Sequence, residues 1–166
     1  MLHAVDDLLV EVGYSAMTMK GIADRAGVGR MTIYRWWPHK AAILLEACID
    51  DAREALTTAP RSDPVDDVTN YYQALIEFLT QSPAGAAYRA LIGEAQHDDE
   101  VAALLAEHDV LGESATRVID RIPGVTPDQD TIAGLVGPVV YLAITHPQPD
   151  APQLDPQRQA ASFLAR

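Results

Sequence analysis

The chain is short of cysteine, of aromatic residues, of basic charge and of long apolar runs, and each shortage excludes something. One cysteine, Cys48, in 166 residues rules out an intrachain disulfide framework. It falls on the apolar side of a helical pattern and is expected to act as a small buried hydrophobe. No stretch reaches the ~18 apolar residues of a membrane-crossing helix, and no signal-peptide pattern is visible. A cytoplasmic protein with no membrane partner is expected. Alternating strand-like patterns are nearly absent, which points to an all-α fold. There is no Gly-rich phosphate loop, no GxSxG elbow and no Cys–His pairing, so neither an enzyme nor a cofactor is expected. Glu94-x-x-His97 has the spacing of half a helical di-iron site, but no second pair accompanies it, and no metal site is expected.

What the chain does have is apolar content, at 48% of residues, enough for a real core and too much for disorder. Its charge is lopsided. The net charge is −12, yet residues 1–40 carry five Lys/Arg against four Asp/Glu. The remaining 126 residues hold 7 basic and 20 acidic side chains. A near-neutral head on an acidic body suits a nucleic-acid reader with a separate regulatory domain.

Helical spacing organises the chain. Val5, Leu8, Leu9 and Val12 form one face of a first helix that Gly13 ends. Thr18 caps a second helix, with Met17 and Ile22 placed as a hydrophobic staple, and Gly27 closes it. Gly29 stands at the cap of a third. Pro38 begins a fourth that runs to about Leu56, and residues 57–64 form a loop and domain boundary. A fifth helix spans about 64–80, a sixth 83–97, a seventh 99–122 and an eighth 128–145. The eighth is expected to be weakened or kinked at Gly134, Gly137 and Pro138. A Pro-rich loop, residues 146–153, precedes a short final helix near 156–165.

The segment Thr18–Lys40 reads as helix, turn, helix, the arrangement that seats a second helix in the DNA major groove. Ile22, Ala23, Val28, Ile33 and Trp37 are expected to face inward. Arg30, Met31, Thr32, Tyr34 and Arg35 then face outward. Arg can fork onto guanine, and Met or Thr methyls can touch the thymine methyl. Thr18, Tyr34 and Lys40 suit phosphate contacts, as does Trp36 through its indole N–H, and Lys20 is a further DNA-binding candidate.

In these residues the chain resembles the tetracycline-repressor (TetR) family of bacterial regulators. LLVEVGY at 8–14, Thr18, IADRAGVG at 22–29 and TIYRWWPHKAAIL at 32–44 follow the family's N-terminal pattern in order and spacing. The resemblance implies a three-helix DNA-binding domain over 1–40. Helix four would link it to a helical ligand-binding and dimerisation domain over 41–166. It also implies operator DNA as partner, a small-molecule effector, and a homodimer built through the helices near 128–145 and 156–165. Three departures stand out. Gly29 replaces a usual Ser, Met31 a usual small residue, and Met1 falls inside the first helix where members generally carry a basic arm.

The acidic body offers Tyr72, Tyr88 and Tyr141 as candidate effector contacts, since Tyr supplies both ring and hydroxyl. The expected function is a ligand-responsive repressor. The rival is a helical ligand-binding dimer whose head does not bind DNA.

Overall fold

Aspartate caps set where most of the later helices begin. In a computed structural model describing residues 2–146 and 154–165, ten helices are present among the described residues and no strand. They are α1 (Leu2–Ala16), α2 (Met19–Ala26), α3 (Arg30–Trp36), α4 (Lys40–Ala55) and α5 (Pro64–Gln81). α6 (Pro83–Glu94), α7 (Asp99–Glu107), α8 (Val110–Ile119), α9 (Gln129–Thr145) and α10 (Pro156–Leu164) complete the order. Asp63, Asp98, Asp109, Asp128 and Asp155 each accept backbone N–H groups at the start of α5, α7, α8, α9 and α10. Each satisfies orphan donors and complements the positive end of the helix dipole. The N–H and hydroxyl of Thr131 hold the Asp128 carboxyl below its ordinary pKa. Part of the chain's acidity is thus used in capping.

Several expectations change. Gly13, at φ 73 and ψ 164, interrupts α1 as expected, but a further helical turn follows to Ala16. α4 starts at Lys40, two residues after Pro38. The expected single helix over 99–122 is two. His108 leaves helical geometry, and the Asp109 carboxylate takes the Gly112 N–H at 2.9 Å. A Cβ on Gly112 would overlap that carboxylate, so the glycine lets the cap form. α6 stops at Glu94, leaving His97 beyond its end, so the helical Glu–His pair does not form. α9 runs through Pro138 without a break, and among the described residues nothing beyond its own helix comes within 4 Å of a Cβ built on Gly137. Of the expected Pro-rich loop, residues 147–153 lie outside the described residues.

The helices gather into two compact units. The first joins residues 1–51 with 83–108, so α6 and α7 cluster with the N-terminal helices. Within it α1 packs on α2 and α6, α2 on α3, and α6 on α7. Val5, Ile22, Ile33, Ile43 and Leu44 are fully buried.

The second unit joins residues 52–82 with 109–166. α9 and α10 pack on α5, and α8 packs on α9 and α5. Two polar links sit in its interior. The Tyr71 hydroxyl lies 2.8 Å from Ser114 Oγ, and Ser114 Oγ donates to the Leu111 carbonyl at 2.9 Å. Ser114 has one proton to give, so Tyr71 is the donor of its pair. Elsewhere along α5, buried Asp67 accepts from Arg121 at 3.3 Å and from the Arg61 backbone N–H at 3.0 Å. Arg121 also donates to the Thr58 carbonyl at 3.1 Å, tying the 57–63 loop down.

Tyr71→Phe should cost about 1 kcal/mol, read by urea denaturation. Burial pushes the Tyr71 pKa above its ordinary 10. The unfolded tyrosine therefore ionises first, and stability should fall as pH rises above 10. Tyr71→Phe should remove that part of the fall.

Candidate nucleic-acid interface

The second helix of the N-terminal unit begins at Thr18, whose Oγ1 accepts the Gly21 N–H at 3.0 Å. That bond uses a lone pair and leaves the hydroxyl proton for an outside acceptor. The staple residues are buried as expected, with Met17 1% and Ile22 0% exposed. Gly27 ends α2 in the left-handed region, at φ 67, where glycine is unstrained. The Val28 N–H reaches back to the Ala23 carbonyl at 3.1 Å, and Val28 is half-buried in the turn. Gly29 caps α3 with its backbone alone, accepting from the Thr32 N–H at 2.9 Å.

α3 is fastened from one side. Ile33 is fully buried, and Trp37 is buried with its indole N–H donating to Glu46 on α4 at 2.7 Å. His39 starts α4 by accepting the Ala42 N–H on Nδ1 at 3.3 Å, and its Nε2 lies 3.8 Å from Glu100 on α7. Arg25 pairs with Glu11, holding α2 to α1. Lys40 sits 4.1 Å from the centre of the Tyr14 ring and donates to the Tyr14 carbonyl at 3.1 Å. Burial, then the charges of Glu94 and Asp98, push the Tyr14 pKa up to about 12.

The other side of α3 is open. Arg30, Thr32 and Arg35 are exposed, and Met31, Tyr34 and Trp36 are 84%, 53% and 65% exposed. Met31, Thr32, Tyr34, Arg35 and Trp36 line one shallow concavity. The Arg35 guanidinium carbon lies 5.6 Å from the centre of the Trp36 ring. Lys20, also exposed, stands on α2. Large apolar and cationic side chains left in water on a firmly braced helix are unusual for a lone surface and fit a partner that offers both phosphates and apolar base edges.

The candidate effector residues fall in both units. Tyr88 is buried on α6 in the first unit; Tyr72 is buried and Tyr141 is 63% exposed in the second. Sequence reading also missed the bracing of Lys40 by Tyr14 and of Trp37 by Glu46, because neither pair leaves a local spacing signal.

The helix-turn-helix with its exposed second helix is the arrangement of a DNA-binding domain. Residues 2–47 match the family model described as bacterial regulatory proteins, tetR family. A crystallised TetR-family transcription regulator, SCO0332, is 27% identical, with 99% of this chain and 94% of that one covered at a TM-score of 0.75. YdeS of Bacillus subtilis, an uncharacterized HTH-type transcriptional regulator, is 37% identical over 102 residues, 61% of this chain and 51% of YdeS. The match thus spans about half the length of that relative. Rv1556 of Mycobacterium tuberculosis, similarly described, is 27% identical over 83% of each. Residues 2–47 thus carry a tetR-family DNA-binding pattern, and the chain as a whole is similar in fold to a TetR-family transcription regulator.

Proposed function

We propose that the chain is a ligand-responsive repressor that binds a palindromic operator as a homodimer. The observation that carries this reading is the outer face of α3, held by Ile33 and Trp37 and leaving Arg30 to Trp36 otherwise in solvent. Arg30 and Arg35 would read guanine edges, and Met31 and Thr32 thymine methyls. Thr18, Lys20, Tyr34, Trp36 and Lys40 would hold phosphates and set the register. Lys40 would do so from its seat on Tyr14, where the ammonium has donors beyond the one used. In this division residues 1–40 read DNA, and residues 41–166 bind the effector and dimerise. The dimer reading draws support from α9, an apolar helix that exposes Tyr141 and Ile144 at 63% and 47%.

Fluorescence anisotropy with DNA from upstream of the protein's own gene tests the proposal. Affinity should drop by on the order of 10³ between about 50 and 200 mM salt, as counterion release demands for several phosphate contacts. Sedimentation should give twice the chain mass. Absence of salt-sensitive binding to any upstream sequence would overturn the reading in favour of a helical dimer with an inert head.

A further inference from the structure

We propose that Arg89 anchors a site for an oxyanion, a carboxylate or phosphate group, through which the regulator senses an acidic effector. The proposal rests on the ligand-responsive reading above. Arg89 lies in α6, within the first unit. Its Nη1 is buried and, among the described residues, has no hydrogen-bond partner. Burial also pulls the guanidinium pKa below its ordinary value. A guanidinium cannot escape the penalty by deprotonating at ordinary pH, so a buried N–H of this kind is a costly group to leave without an acceptor.

The chain is not short of acceptors, having twice as many acidic as basic side chains. It uses them elsewhere: Arg25 pairs with Glu11, Arg53 with Glu113 and Arg121 with Asp67. Among the described residues no such ion pair includes Arg89. The other buried side-chain atoms without partners among those residues, Thr58 Oγ1 and Thr69 Oγ1, are neutral hydroxyls and ask for no particular charge. Arg89 asks for an anion, and its planar fork matches the oxygens of a carboxylate or phosphate. The position also has a route to the DNA-reading helices. α6 packs on α1, and α1 on α2. An anion that favours one placement of α6 therefore biases the head as a population shift.

Thermal denaturation of the full chain tests this with benzoate, neutral benzamide, inorganic phosphate and chloride at matched ionic strength. Benzoate or phosphate should raise Tm by on the order of 5 °C at about a hundredfold excess over Kd, and benzamide and chloride should not. The benzoate and phosphate arms separate a carboxylate ligand from a phosphoryl one. Arg89→Met keeps an apolar stem and removes the orphan donor. It should abolish the shift and leave the resting Tm equal or higher. Equal responses in wild type and Arg89→Met, or a lowered resting Tm with no anion response in either, would overturn the site and make Arg89 a structural residue. Operator anisotropy on the same samples separates the two readings, since Arg89→Met should keep wild-type DNA affinity. An anion shift without DNA binding sinks the regulator and spares the site; DNA binding without an anion shift does the reverse.

Discussion

Replacing Asp67 with alanine should destabilise the second unit by about 3–5 kcal/mol, the usual cost of removing one partner from a buried ion pair. The Asp67 side chain is 4% exposed and Arg121 26%. Truncation would strip Arg121 of its counter-charge while the Thr58 carbonyl still holds it in place. It would also orphan the Arg61 N–H that Asp67 accepts. Urea denaturation should show a lower midpoint with an unchanged m-value, since the unfolded state gains no surface. The double variant Asp67→Ala, Arg121→Met should recover much of the loss, because the cost lies in the stranded charge more than in the missing bond. If the double variant were as unstable as the sum of the singles, Asp67 would be acting through the loop backbone alone.

Truncating Arg35 to alanine should weaken operator binding by about 1–3 kcal/mol, roughly ten- to a hundredfold, without changing stability. Arg35 is exposed on α3 and braces nothing in the core, so circular dichroism should not change. Its stacking near Trp36 holds a flexible cation at the edge of the concave face. The loss should vanish on an operator whose contacted guanine is replaced, which identifies a base contact. A loss that is the same on every sequence would make Arg35 a phosphate contact and move the guanine reading to Arg30.

Much of the N-terminal unit was legible in the chain because its determinants are local. Thr18, Gly27 and the 22–33 apolar spacing act over a few residues, and short-range hydrogen bonds and staples follow directly from them. Part of the outward face of α3 followed from the same spacing, since burying Ile33 leaves Met31 and Arg35 on the opposite side of the helix, whereas the exposure of Arg30 and Tyr34, which flank the buried side, did not. The break between α7 and α8 was less visible. Continuous apolar periodicity suggested one helix, and the Asp109 cap won because Gly112 leaves room for its carboxylate.

The sequence by itself determined the all-helical class, most helix starts, and that Ile33 faces inward on α3 while Met31 and Arg35 face solvent. Those depend on residue type and on spacings of three or four. Only the tertiary structure decided that α6 and α7 cluster with the N-terminal helices, and that Asp67 finds Arg121 across 54 positions. It alone left Arg89 Nη1 buried without an acceptor among the described residues, while Arg25 and Arg53 of the same acidic chain are paired. Such pairings depend on which helices meet, and a helix face records only that it must be buried, not against what.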